Sequence, residues 1–169
     1  MQTFRYGAVL AATVVMSAGF VGRVSAETYK SANGYTITPP AGWTTSKAVA
    51  GTEVMFLSPT RENINVVSQA VPKGTTMEQA RTQSIALLKR MMKNYKAIAQ
   101  SSSKLGGQRA LTLTSAYTLS DPPQQLRAYQ VFTIRNNKLF VFTCTAKLET
   151  YAKYYSTFKA SLNSVTFTK

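Results

Sequence analysis

The chain has 169 residues, of which 20 are Lys or Arg and 6 are Asp or Glu, with one Cys and no His. Without His there is no His general base and no His-ligated metal. A lone thiol, Cys144, permits no internal disulfide, so packing alone must hold the fold together.

At the start of the chain Arg5 provides a basic region, and an apolar run follows from Ala8 to Val21, broken only by Thr13, Ser17 and Gly19. Val24-Ser25-Ala26 then places small residues where a signal peptidase reads. The apolar run is shorter than the roughly 20 residues that span a bilayer. Residues 1–26 are therefore expected to be a cleaved signal peptide, and residues 27–169 a single exported domain, periplasmic or extracellular, with room for its own core. Cys144 lies too far from the processing site to mark a lipoprotein, and the absence of disulfides suits a bacterial envelope better than a small eukaryotic secreted module. Losing Arg5 and Arg23 leaves 18 basic against 6 acidic residues, a net charge of +12. Such a field draws anionic partners, an acidic protein face or alternatively an anionic polymer or lipid surface. No polybasic run stands out and an exported protein rarely meets nucleic acid, so none is expected as a partner.

Tyr35–Thr38 alternates as a short strand and stops at Pro39-Pro40, which lack the N–H a ladder needs. Ala41-Gly42 reads as a turn that brings Trp43 back to clamp this strand onto the sheet, with a ligand groove as the alternative role for the indole. Glu53–Leu57 and Ile64–Val71 read as an antiparallel pair, closed by Ser58-Pro59 and Pro72-Lys73-Gly74. Thr75 with Glu78 fits a capping box. From there Met77, Ala80, Ser84, Leu88, Met91, Tyr95 and Ile98 recur at three- and four-residue spacing, which predicts a long amphipathic helix. Its last turns gather Lys89, Arg90, Lys93 and Lys96, where cations suit the negative end of the helix dipole. This basic stripe is the first candidate contact for a partner or anion.

Strands are expected at Ala99–Leu105 and Gln108–Leu119, joined by Gly106-Gly107, and at Gln125–Arg135 and Lys138–Ala146, joined by Asn136-Asn137. Asn tolerates the positive φ that a two-residue hairpin needs. Between the two hairpins a stiff loop, Ser120 to Pro123, presents Asp121, Pro122 and Pro123 as the second candidate contact. The Asn-Asn turn sets Ile134 opposite Leu139 and Phe132 opposite Val141 on one face, with Val131 opposite Phe142 and Tyr129 opposite Cys144 on the other. Both faces are apolar, so this pair must be central and covered on each side. A second helix, Thr150–Leu162, supplies one cover with Tyr151, Tyr154, Tyr155, Phe158 and Leu162, and Val165–Phe167 adds a short terminal strand. The order is three strands, a helix, four strands, a helix and that last strand. There is no internal repeat and no linker.

Catalytic patterns are sparse. Ser156-Thr157-Phe158-Lys159 matches S-x-x-K, which sets a nucleophilic Ser one helical turn from a Lys. The S-D-N and K-T-G partners are missing, and Ser101 to Lys104 matches the same four-residue pattern by chance. The acids are scattered and there is no glycine-rich phosphate loop, so no cofactor or metal is implied and the chain reads as no enzyme, a hydrolase using Ser156 and Lys159 ranking last. Cys144, between Phe142 and Ala146 in an apolar strand, reads as buried and inert.

The stretch Y-T-I-T-P-P-A-G-W, the strand N-I-N-V-V-S-Q-A-V-P before a capped helix, the hairpin A-Y-Q-V-F-T-I-R-N-N-K-L-F-V-F-T-C-T-A and the closing S-L-N-S-V-T-F together resemble the PsbP-like family, over about Tyr35 to Phe167. That family includes the extrinsic subunit of the photosystem II oxygen-evolving complex and the bacterial envelope protein DcrB. The resemblance implies an α+β fold, an α/β/α sandwich around a central antiparallel sheet, and no enzymatic activity. It implies an accessory role, binding an envelope or secreted protein. Metal-linked roles of the photosystem members rest partly on histidines, which this chain lacks, so neither a metal site nor a photosynthetic role carries over.

Overall fold

The Asn136-Asn137 turn sets the centre of the fold. In the computed structural model, which describes residues 27–47 and 51–168, both Asn residues adopt left-handed backbone angles, φ 51° and 55°. The signal peptide expected at residues 1–26 lies outside the described residues. The turn joins β8 (Pro123–Arg135) to β9 (Lys138–Lys147) in the expected register, Ile134 opposite Leu139, Phe132 opposite Val141, Val131 opposite Phe142 and Tyr129 opposite Cys144. Beyond β9 lie β5 (Asn63–Ala70), β4 (Val54–Leu57) and β3 (Thr44–Lys47). Beyond β8 lie β7 (Gln108–Ser120) and β6 (Lys93–Leu105), giving a seven-stranded antiparallel sheet ordered β3-β4-β5-β9-β8-β7-β6.

The two faces of the central hairpin are covered separately, as its pattern requires. Helix α1 (Met77–Met91) brings Ala80 to Val67, Leu113, Phe132, Leu139 and Val141 on one face. Helix α2 (Tyr151–Asn163) brings Phe158 and Leu162 to Ile64, Val66, Val131, Phe142 and Cys144 on the other. The result is the α/β/α sandwich. Full burial of Phe132, Val141, Phe142 and Phe158 supplies its apolar driving force, at roughly 1.5–3 kcal/mol for each such side chain.

Several boundaries depart from the sequence pattern. The strand at Tyr35–Ile37, β2, does not join the main sheet. It is the middle of a small second sheet, flanked by β1 (Tyr29–Ser31) and β10 (Thr166–Phe167). Tyr35 packs edge-on against Phe140 and Phe142, with ring centroids 5.8 and 5.3 Å away. Trp43 accordingly braces helix α2 rather than clamping β2 to the main sheet, its ring lying edge-on to Tyr154 at 6.2 Å and Phe158 at 6.1 Å. Strands β1 and β3 were not expected, because Y-K-S and T-T-S-K are too short and polar to show alternation.

Helix α1 starts one residue later than expected, on a capping box of Thr76 and Gln79: the Gln79 N–H donates to Thr76 Oγ1 at 3.1 Å, and the Thr76 N–H donates to Gln79 Oε1 at 2.8 Å. Glu78 points elsewhere, to Arg109 at 3.7 Å. The helix also ends early. Met92 is already extended at φ −107°, ψ 130°, and β6 begins at Lys93. The expected loop at Ser120 to Pro123 is a tight turn with Ser120 paired to Pro123 across a cis Asp121-Pro122 bond.

Candidate contact surface

Where α1 stops decides where the basic residues go. Lys89 and Arg90 are exposed in its last turn. The chain then enters β6 without a loop, so Lys93 and Lys96 stand on a strand and not on a continuous helical stripe. Their partners on β7 are Thr118 and Ala116, alternate residues, so the two lysines share one face of the sheet. Thr118 lies two positions before Ser120, which pairs with Pro123. The Asp121-Pro122-Pro123 turn thus caps the same end of the sheet at which Lys93 and Lys96 enter, and all seven candidate residues are exposed there.

Two open clefts adjoin this end. One, of about 430 Å³, is lined by Tyr95, Lys96, Thr118, Gln125, Leu126 and Leu148. The other, of about 470 Å³, lies between Pro123, Gln124, Gln125, Lys147, Leu148 and Glu149. Gln125 and Leu148 are common to both, and their backbones are tied by the Leu148 N–H donating to the Gln125 carbonyl at 2.9 Å. Leu148 and Met91 are exposed apolar side chains, 38% and 48% accessible, and Ile98, at 50%, follows on β6. Sequence reading missed Leu148, Tyr95 and Gln125, because nothing local to any of them signals that they meet.

Below this end lies a carboxylate with which no cation pairs among the described residues. Glu62, in the β4–β5 connection, is 2% exposed, and its Oε2 accepts hydrogen bonds from Ser58 Oγ and Thr60 Oγ1, both at 2.5 Å. Its Oε1 accepts from Thr150 Oγ1 at 3.2 Å, at the start of α2. Burial pushes the carboxyl up, but the hydroxyl and backbone donors outweigh it and hold Glu62 below its ordinary value. Under the cleft floor, burial raises the Tyr95 phenol and pushes Tyr117 up to about 12, so both remain protonated at neutral pH.

The PsbP family model matches residues 25–167. The chain belongs to the PsbP family. Its fold is similar to that of cyanobacterial PsbP, CyanoP, from Synechocystis sp. PCC 6803, at a TM-score of 0.64 and 21% identity, with 90% of this chain and 98% of that one covered. It is also similar to LpqN, a protein involved in cell envelope biogenesis of Mycobacterium tuberculosis, with a TM-score of 0.62, 13% identity and coverage of 80% and 83%. The Ran-binding protein Mog1p of Saccharomyces cerevisiae gives a TM-score of 0.61 at 10% identity over 83% and 94%. At these identities the likeness is one of fold. No curated protein matches the sequence closely enough to serve as a relative.

Elsewhere in this PsbP-family domain the weaker candidates separate. Ser156 is exposed on α2, whereas Lys159 turns to Tyr129, its Nζ 3.5 Å from the phenol oxygen and 5.3 Å from the ring centre. Among the described residues no hydrogen bond joins Ser156 to Lys159. Ser101 and Lys104 lie on a strand, where a three-residue step puts them on opposite faces, and Ser101 Oγ is bonded to Thr112 Oγ1 at 2.7 Å. Cys144 is fully buried, and burial pushes its thiol far above the ordinary range. Among the described residues no three Cys, Asp or Glu side chains gather to hold a metal ion, and no helix is long and apolar enough to cross a membrane.

Proposed function

We propose that this PsbP-family chain is an exported, non-catalytic accessory domain that binds an envelope or secreted protein through the end of the sheet bearing Lys89, Arg90, Lys93, Lys96 and the Asp121-Pro122-Pro123 turn. The observation that carries the reading is the convergence of these two sequence-distant segments around exposed Met91 and Leu148, beside two clefts. A rigid turn and a basic rim around apolar side chains fit a protein face that is acidic at its edge. The naming of LpqN for envelope biogenesis and of Mog1p for Ran binding is in keeping with protein-directed roles on this fold.

The test is capture of envelope proteins by the purified domain and by a Lys89→Glu, Lys93→Glu, Lys96→Glu variant, at low and high salt, with bound species identified by mass spectrometry. A discrete protein retained in high salt by the parent and lost by the variant supports the reading. Equal capture by both moves the contact elsewhere. The net charge, +14 for the whole chain and +12 once residues 1–26 are removed, favours a second reading, attraction to an anionic polymer or membrane surface. That reading requires a salt-labile mixture of anionic material, because exposed charges separated by more than a Debye length are screened.

A further inference from the structure

β6 closes one side of the main sheet. Its inner edge pairs with β7, and among the described residues no strand pairs with its outer edge. It is 13 residues long, against four for β3 at the opposite border. Along it only Tyr95 and Ser103 are half-buried and only Leu105 is buried, the rest being exposed. Such an edge presents a row of outward N–H and C=O groups, a template for another strand, which proteins ordinarily blunt with bulges, prolines or charge. Here the bulges are confined to the first half, where the register slips between Lys93 and Lys96 and between Ala97 and Ala99. From Ala99 to Leu105 the ladder is unbroken and contains no Pro, and it carries the small or uncharged side chains of Gln100, Ser101, Ser102 and Ser103 with Lys104 as its single charge.

The charge carried by the strands here has one sign. Strands β6, β7 and β8 contain no acidic residue. Lys93 and Lys96 stand opposite Thr118 and Ala116 on the α2 face, while Lys104 stands opposite Arg109 on the α1 face, so an arriving strand meets cations on both faces. Glu78 reaches in from α1 to pair with Arg109, and Asp121 sits at the turn that caps the Lys93 and Lys96 end. A second copy of the chain would bring the same lysines to the same edge, and like charges across a strand pair are destabilising.

We infer that the free edge of β6 between Ala99 and Leu105 accepts an acidic, extended segment of a partner protein as an eighth strand of the sheet. The inference rests on the reading of this domain as a protein binder and adds how the partner is held: main-chain hydrogen bonds give the affinity, and Lys93, Lys96 and Lys104 select the charge.

The probe is a capped, fluorescent peptide of alternating Glu and Thr, long enough to span β6, with a Lys-Thr peptide as control, titrated into the purified protein. In a strand only every second N–H faces a given neighbour. The Glu-Thr peptide therefore binds, and the Lys-Thr peptide does not. N-methylation of one alternate set of its residues weakens binding by more than about tenfold while methylation of the other set leaves it nearly unchanged, and a Lys96→Glu, Lys104→Glu variant loses a similar factor. Equal sensitivity to both methylation patterns overturns strand addition while leaving a side-chain contact at the basic end standing. Absence of Glu-Thr binding also overturns it, and the capture experiment with the Lys89, Lys93 and Lys96 variant still reports on the broader reading. Sedimentation showing a dimer with β6 amides protected from exchange makes the occupant a second copy and overturns the acidic partner.

Discussion

Replacing Glu62 with Gln keeps the shape of the side chain and removes its charge, which isolates what the buried carboxylate contributes. Three hydroxyls, from Ser58, Thr60 and Thr150, donate to it. A hydrogen bond to a charged acceptor contributes about 1.5–3 kcal/mol, against about 1 kcal/mol for a neutral one, so the loss is roughly 1 kcal/mol at each of three contacts. The charge also faces the first turn of α2, which has no acid of its own and whose N-cap Thr150 makes no side-chain capping bond. A negative group there is worth typically about 0.5 kcal/mol more. The variant should therefore be less stable by about 3 kcal/mol, a fall in Tm of about 10 °C for a domain of this size. Because the folded carboxyl titrates below its ordinary value of 4.5, the stabilisation is fully present above that pH and fades as the pH drops through the folded value. Thermal melts of parent and variant should differ widely at pH 7 and converge in acid. Equal melting temperatures at pH 7, or a gap that acid does not narrow, would refute the account of Glu62 as the charge anchoring α2.

Two further outcomes follow from the packing. Gly106→Ala should destabilise more than Gly107→Ala in the same melts. Both positions have positive φ, at roughly 1–2 kcal/mol for a side chain, but a Cβ at Gly106 would also meet the Phe167 ring at 2.8 Å and the Val165 carbonyl at 3.0 Å, whereas Gly107 faces open space. Equal losses would contradict the close seating of β10 on this turn. Cys144 should resist a thiol reagent at pH 8 until denaturant unfolds the domain, because the thiol is buried and held protonated; rapid labelling of the native protein would show that its strand is open.

The central hairpin could be read from sequence because its determinants are local: two Asn residues that accept left-handed angles and, on each side, a strand-length run apolar on both faces. Helix α2 was equally legible, since its aromatic residues recur at helical spacing. The end of α1 was not. Tyr95 and Ile98 continue its three- and four-residue spacing, no Gly or Pro follows Met91, and the bulges in β6 break the period of two that would have announced a strand. For that reason the basic residues read as one helical stripe, when Lys93 and Lys96 belong to an edge strand. Their meeting with Asp121-Pro122-Pro123 depends on the pairing of β6 with β7, a long-range fact that no local window contains. Glu62 gave no signal either, because its three donors come from a turn and from a helix start 88 residues away.

The small sheet places the two ends of the domain on one strand. Thr36 lies opposite Lys30 on one side and Thr166 on the other, and its hydroxyl meets that of Thr166 at 2.6 Å across 130 residues of chain. During synthesis Tyr35 and Ile37 emerge long before the residues that finish enclosing them, from Phe158 to Phe167. The polypeptide thus cannot complete its larger core until Val165 and Phe167 have been made. A chain clipped before Val165 would leave this aromatic pocket without its final strand, so a cut late in the sequence is felt at β2, the strand that β10 pairs with.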